Sequence, residues 1–514
     1  MTRPLAALIC TATLFLTSRA PAQTKEVDLA LTAAAPGRTV TIGFAGDGLG
    51  FARTLWTSFP AETRLDAPAK ERSDRAAFLV TVPQDCPTGI GVVRLGSSNR
   101  FSGPVLVLVD ALPSVPSADG HRTLATAQRV ILPVAVDGAC AELGGDFFVF
   151  AARAGQRVSV DVVAQRLGSA LDPWVRLLDA RGRELAFNED SPGAGADARL
   201  THIVPADGDY VVQLRDSRHQ GGEAHRYRLR LGDFPLAPLP FLHDAARFPP
   251  ADEHGWKMQR ESEPNDTAAT ATPLELPALL TGNFQRPGDR DFFQFTLTQP
   301  GRWLVLGRTR SRGFPCDLLL TLLDGKGAAI ATSQPTGADE GIITNAFSSA
   351  GSYRLRVEEL SGLGGPELSY QVALQPYAGF ALSVDADKFE APSGGSLKLK
   401  VTCARRDFDG AITLALTGDA REFAVTNNII AAKKTETTLR VAVPAAMAPG
   451  TLLHFQIHGV AKSGDTTVSV AAQTLGALRK ALPNLPHPPA AFDGTIALGV
   501  VPPEGKQGGK GESN

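Results

Sequence analysis

Apolar and polar residues alternate with a period of two over segment after segment of the chain. Val158, Val160 and Val162 stand against Arg157, Ser159 and Asp161, and Leu397, Leu399 and Val401 against Lys398, Lys400 and Thr402. Alternation of this kind turns every second side chain into a core and the others into water, as in a half-buried strand. Runs of helical period are scarce. The 51 Gly and 37 Pro cut the alternating runs into short strands, which is the spacing of β-sandwiches. The pattern therefore predicts an all-β chain of tandem β-sandwich domains, jelly-roll or immunoglobulin-like, and a length of 514 residues is too great for a single core.

An internal repeat organises the middle of the chain. Asp146, Phe147, Phe148 and Phe150 recur 145 residues on as Asp291, Phe292, Phe293 and Phe295, and Asp172, Leu178, Asp179 and Gly182 recur at the same distance as Asp317, Leu323, Asp324 and Gly327. Tyr210 and Tyr227 recur 143 residues on as Tyr353 and Tyr370. Such self-similarity marks two copies of one domain, assigned to residues 118–233 and 261–376. A Pro-rich linker, 234–260, separates them and reads as extended. Strand-rich blocks at 24–113 and 380–475 read as immunoglobulin-like sandwiches, and 476–514, rich in Pro and Gly, reads as a flexible tail. Residues 1–22, with Arg3, an apolar run from Leu5 to Leu16 and Ala20-Pro21-Ala22, have the layout of a signal peptide. The apolar run is about a dozen residues, short of the roughly 20 that span a bilayer. Export to the periplasm, cell surface or medium is the expectation, with no transmembrane segment after cleavage.

The repeat resembles the bacterial pre-peptidase C-terminal (PPC) domain. The second copy carries the likeness in ESEPND (261–266), GDRDFFQF (288–295), DLLLTLLDGKG (317–327) and AGSYRLRVEE (350–359). The first carries it in GDFFVF, LDPWVRLLDARGRELA, PADGDYVVQLRD and YRLRL. The resemblance implies a β-sandwich module of exported proteins, often a companion to a peptidase, and some members bind calcium through acids at the linker and strand entrance. A sandwich module serves many tasks, so the resemblance implies fold more firmly than function.

Candidate chemistry concentrates in the second copy. Glu261, Glu263 and Asn265 alternate on an extended segment beside Asp266, and Asp289 and Asp291 lie at the entrance to the next strand. Ca²⁺ takes six to eight oxygens, most of which this set could supply; the alternative is a solvated acidic linker with Asp291 capping a turn. At the 145-residue offset the first copy has Pro116, Ala118, Gly120, His121 and Gly144 at these positions and keeps only Asp146, so calcium is expected in the second copy alone. His219 and His225 read as a solvent-exposed hairpin tip, His454 and His458 as structural, and Trp174 and Trp303 as core. Cys86, Cys140, Cys316 and Cys403 fall in four different domains and read as small buried hydrophobes rather than as disulfides or a metal site.

Net charge of −2 gives no reason to expect nucleic acid or an anionic membrane. No GxSxG elbow, HExxH helix or phosphate-binding glycine loop occurs. The expectation is a secreted, non-catalytic binding or scaffold protein, its partner an extracytoplasmic protein or polysaccharide. A calcium-dependent adhesin for polysaccharide or fibrous protein and a secreted peptidase or hydrolase with unrecognised catalytic residues are the alternatives.

Overall fold

The computed structural model describes residues 28–30, 33–46, 49–66, 74–242, 257–334, 340–463, 466–485, 488–489 and 492–503. The expected signal peptide, 1–22, lies outside them. Among the described residues the chain is almost wholly β, with one α-helix, Leu475–Ala481, and no helix is long and apolar enough to cross a membrane. The strands form tandem β-sandwiches. Alternation becomes burial as expected: Leu399 and Val401 are fully buried and Leu397 nearly so, while Lys398 and Lys400 are exposed.

The two middle units share one topology. In the first, one sheet runs in the order Arg199–Ile203, Arg157–Val163, Arg226–Gly232, Val134–Ala139, Ser114–Pro116. Its facing sheet runs Glu184–Asn188, Pro173–Asp179, Gly208–Asp216, Asp146–Ala152, Gln128–Arg129. The second repeats this strand for strand: Ile342–Phe347, Gly301–Arg308, Ser369–Pro376, Ala278–Asn283, Lys257–Arg260, and facing them Ala329–Thr332, Leu318–Leu323, Gly351–Glu359, Arg290–Leu297, Thr272–Leu274. Each unit closes around its own core, with Phe148, Phe150, Val160 and Tyr227 in one and Phe293, Phe295, Val305 and Tyr370 in the other.

Two expectations on organisation need correction, the repeat starts and the ending, and the linker gains a sheet partner. Ser114–Pro116 and Lys257–Arg260 pair in parallel with Val134–Ala139 and Ala278–Asn283, so the repeats begin before 118 and 261. Of the linker, residues 243–256 lie outside the described ones, and Phe241–Leu242 pairs in parallel with Gly89–Gly96 of the first block. The region 476–514 is not simply a tail. Ile496–Val501 lies between Lys388–Pro392 and Leu452–Ser463 in the last sandwich, and Ile496, Leu498 and Val500 are fully buried in its core. The helix Leu475–Ala481 meanwhile lays Leu478 against Ile90, Val92 and Leu108 of the first block. Residues 504–514 lie outside the described ones.

The first and last blocks also meet. Arg94 is fully buried and pairs with Asp387 at 2.8 Å, Trp56 stacks on His454 with ring centroids 4.0 Å apart, and the Phe101 N–H donates to Glu390 at 3.0 Å. A Cβ on Gly499 would stand 2.2 Å from the Phe101 ring, so this contact requires glycine. His454 and His458 are both buried here.

The outer face of the first repeat's sheet carries an ionic ladder. Asp161 accepts from Arg166 (2.6 Å), Arg199 (3.3 Å) and Arg230 (2.7 Å), and Arg166 also reaches Asp197 (2.7 Å). Arg230 and Arg228 continue to Asp110, at the end of the first block, at 3.2 and 2.9 Å, and Arg228 to Asp137 at 2.8 Å. Asp161, outward-facing by alternation, is therefore buried, and Ser159 on the same face is buried with its hydroxyl donating to the Phe234 carbonyl at 2.5 Å. Burial alone would raise the Asp161 pKa, but its three arginines hold it well below the ordinary carboxylate range.

Candidate metal centre

The second repeat gathers carboxylates at one end of its sandwich. Glu261 follows the parallel edge strand Lys257–Arg260, and Asp291 lies near the start of Arg290–Leu297 in the facing sheet. One oxygen from each of Glu261, Glu263 and Asp291 falls within 4.8 Å of the others. Ligand oxygens on a common Ca²⁺ at 2.3–2.6 Å can be no more than about 5 Å apart, so the three fit one ion.

The cage is held from outside. The Asn283 N–H donates to Glu261 Oε1 (2.8 Å), the Asn265 N–H to Glu263 Oε2 (2.9 Å), Gln285 Nε2 to Glu263 Oε1 (3.1 Å), and the Tyr370 hydroxyl to Asp291 Oδ2 (2.6 Å) and Glu261 Oε2 (3.3 Å). Three buried polar atoms stay without a partner here, the acceptors Asp291 Oδ1 and Asn265 Oδ1 and the donor Asn265 Nδ2, Asn265 being 0% exposed. Buried polar atoms in folded proteins are almost always partnered, so two orphan acceptors beside three convergent carboxylates fit a cation. Asp266 and Asp289 stand apart from the three: Asp266 pairs with Arg286, and Asp289 accepts the Gln285 N–H at 2.7 Å and holds the loop that carries it. Of the six expected ligands, the structure thus converges three carboxylates, buries Asn265, close to Glu263 in the chain, and engages the other two elsewhere, Asp266 part-exposed and Asp289 buried.

Burial raises both inner acids, Glu261 to about 7 and Asp291 to about 8, and neighbouring carboxylates add to the rise. Metal-free, the cage favours protons; a cation would favour the charged form.

The first repeat fills the same place differently. The His121 carbonyl accepts the Phe147 N–H at 3.0 Å as the Asn265 carbonyl accepts the Phe292 N–H at 2.9 Å, and Thr123 with Thr126 bonds as Thr267 does with Thr270. The opening segments therefore align at an offset of 144, not 145, which corrects the expected correspondence. Ser117, Asp119, His121 and Arg122 replace Glu261, Glu263, Asn265 and Asp266. Ser117 takes the place of Glu261 beside Tyr227, at 3.3 Å from its hydroxyl, and Tyr227 donates to Asp146 as Tyr370 does to Asp291. Arg122 now pairs with Asp146, with His121 Nε2 at 3.6 Å; burial and then Arg122 lower the His121 pKa. A protein cation sits on Asp146, whereas in the second repeat Arg286 pairs with Asp266 and lies 3.7 Å from Asp289, and no described cation pairs with Glu261, Glu263 or Asp291.

Tyr370 was the missed residue. Its recurrence from Tyr227 was legible, but nothing in spacing tied the hydroxyl to the acids. Other expectations divide. His219 is exposed at its hairpin, whereas His225 is buried, its carbonyl accepting the Cys140 N–H at 3.0 Å. Trp303 packs on the second core; Trp174 instead lies on the opposite face of its strand, under Arg176 at 4.7 Å and beside Phe187. The cysteines at 86, 140, 316 and 403 are all free, and all but Cys86 are buried.

No family model matches the chain. A 70-residue stretch is 40% identical to part of a probable subtilase-type serine protease of Deinococcus radiodurans, covering 13% of this chain and 9% of that protein. The pre-peptidase C-terminal domain of a Bacillus anthracis collagenase aligns with 20% of this chain over 93% of its own length, at 14% identity and a TM-score of 0.17. The four N-terminal Ig domains of a Dscam1 isoform align with 87% of this chain and 98% of their own, at 11% identity and a TM-score of 0.17. TM-scores this low carry no weight for function.

Proposed function

We propose that the chain is an exported, non-catalytic binding scaffold whose two middle sandwiches are PPC-like, and that the second of them is a Ca²⁺ module. The observation that carries the metal reading is the exchange between repeats: Arg122 neutralises Asp146 in the first, while Asp291, Glu261 and Glu263 in the second converge with no described cation among them and leave Asp291 Oδ1 and Asn265 Oδ1 unbonded. Glu261, Glu263, Asn265 and Asp291 would hold the ion, and a hard cation there would fix the junction between the incoming linker and the sandwich. The stretch shared with part of a probable subtilase-type serine protease supports an association with peptidases.

Calorimetric titration of Ca²⁺ into the full chain is expected to show one saturable site, weakened at least tenfold by Glu263→Gln, whose side chain is exposed enough to spare the fold. Arg122→Met should leave the titration unchanged. Absence of saturable heat in the wild-type chain, together with an unchanged melting temperature in calcium, would overturn the metal reading and leave a metal-free scaffold.

A further inference from the structure

A cavity of about 920 Å³ lies where the two repeats meet. Two equivalent single-turn helices, Gln165–Leu167 of the first repeat and Arg310–Arg312 of the second, contribute to its wall, together with the loop 190–196 and linker residues 238–241. The repeats touch at its edge: a Cβ on Gly193, which has φ +74, would stand 2.7 Å from the Gly313 carbonyl oxygen. Here the close approach and the left-handed backbone both require glycine.

The wall has two chemistries. Pro192, Pro238, Leu239, Phe241 and Phe314 make it apolar. Arg166, Arg199 and Arg310 line it as well, against a single lining acid, Asp190, among the described residues. Asp161 serves three guanidinium groups, with Asp197 also on Arg166 and Asp110 also on Arg230, and Arg166 Nη1 and Arg199 Nη2 remain buried without a hydrogen-bond partner, the Arg199 side chain being only 8% exposed. From the second repeat, Gln371 Oε1 is buried and unpartnered too. Two unused donors from one repeat and one unused acceptor from the other thus belong to residues that line one cavity, the atoms themselves lying just beneath its wall, and its size and its position at a domain junction are those of ligand sites.

We propose that this junction cavity binds an extended apolar peptide bearing a carboxylate. The carboxylate faces Arg166 and Arg199, whose planar guanidinium groups match it geometrically, and a peptide N–H faces Gln371 Oε1. Proline, leucine and phenylalanine walls suit apolar side chains, and a peptide supplies both acceptor and donor, as the three unpartnered atoms require. The site is independent of the metal centre, so the two stand or fall separately.

The test uses the full chain, in calcium and in chelator, with fluorescein-labelled pentapeptides of Leu, Pro and Phe ending in a free carboxylate, their C-terminal amides, and oligoglucuronate as competitor. Saturable anisotropy with the free acids, at least tenfold weaker binding of the amides, a several-fold loss in Gln371→Leu and abolition in Ala196→Trp, which fills the cavity from a half-exposed loop position, are expected with melting temperatures unchanged. Lack of saturable binding by any free acid up to about 1 mM, equal binding of acid and amide, or wild-type affinity in Gln371→Leu would overturn it. So would displacement by oligoglucuronate at lower concentration than by unlabelled peptide, which would assign the cavity to sugar acids.

Discussion

Asp161→Ala is expected to destabilise the chain by about 3–5 kcal/mol, the cost of removing one partner from a buried ionic network. Three guanidinium groups converge on this carboxylate, and their side chains are 8–11% exposed. Without Asp161, Arg199 loses its one described ion pair, Arg230 keeps only Asp110, and Arg166 keeps only Asp197. The second repeat supplies the control. The row Ser114, Ala135, Arg230, Asp161, Arg199 across the first repeat's sheet corresponds by strand pairing to Met258, Leu279, Ala373, Leu306, Ile342 in the second. One fold thus tolerates either an ionic or an apolar row at this level. The triple variant Asp161→Leu, Arg199→Ile, Arg230→Ala, which copies the apolar row, is expected to recover most of the stability lost in Asp161→Ala, because an ion pair replaced whole by apolar groups leaves no buried charge. Denaturant unfolding of the three proteins decides it; a triple variant less stable than Asp161→Ala would show that the ladder is needed to dock the first block through Asp110.

Strand alternation made the fold class legible, and where a face meets water the reading holds residue by residue, as at Leu397 to Val401. It was silent on which outer faces meet another domain. Ser159 and Asp161 alternate like solvated residues yet are buried, Asp161 under its three arginines and Ser159 with its hydroxyl donating to the Phe234 carbonyl, and nothing local to the strand encodes that cover. The ending was misread for a related reason. Pro483, Pro486, Pro488 and Pro489 hid the apolar run Ile496–Val501, whose sheet partners lie 41–47 and 109 residues upstream. At the metal centre the acids were legible from composition and spacing, but their alignment between copies was not. The second copy carries one more residue between the strand ending at Asn283 and Asp291 than the first does between Ala139 and Asp146, so an offset carried back from the later strands slips by one. That slip concealed Arg122, the residue that gives the comparison its force.

The melting temperature of the chain in chelator is expected to fall as pH rises from about 4 to about 8, and calcium is expected to remove that fall. In an unfolded chain Glu261 and Asp291 titrate near pH 4; folded and metal-free, burial carries them to about 7 and about 8. Between those limits the folded state binds more protons than the unfolded one, and stability declines with rising pH until both acids are charged. Below about pH 4 both states hold the protons, so this stability is fully present and no longer varies with pH. A cation binds the deprotonated cage, so calcium affinity rises through the same window and binding below pH 7 releases protons, as any ligand selective for the charged form must cause. In saturating calcium the stabilisation, about 2.7 kcal/mol at a concentration 100 times Kd, is greatest near pH 8, where chelated protein is weakest. Melting curves in chelator and in calcium should therefore diverge as pH rises, and calorimetry in buffers of different ionisation enthalpy should report the released protons. Parallel curves from pH 5 to 8 would mean that calcium, if it binds, does so away from Glu261 and Asp291. Tyr370→Phe refines the result: it removes the hydrogen bonds that favour the two charged acids, so their pKa values rise further and the divergence shifts to higher pH.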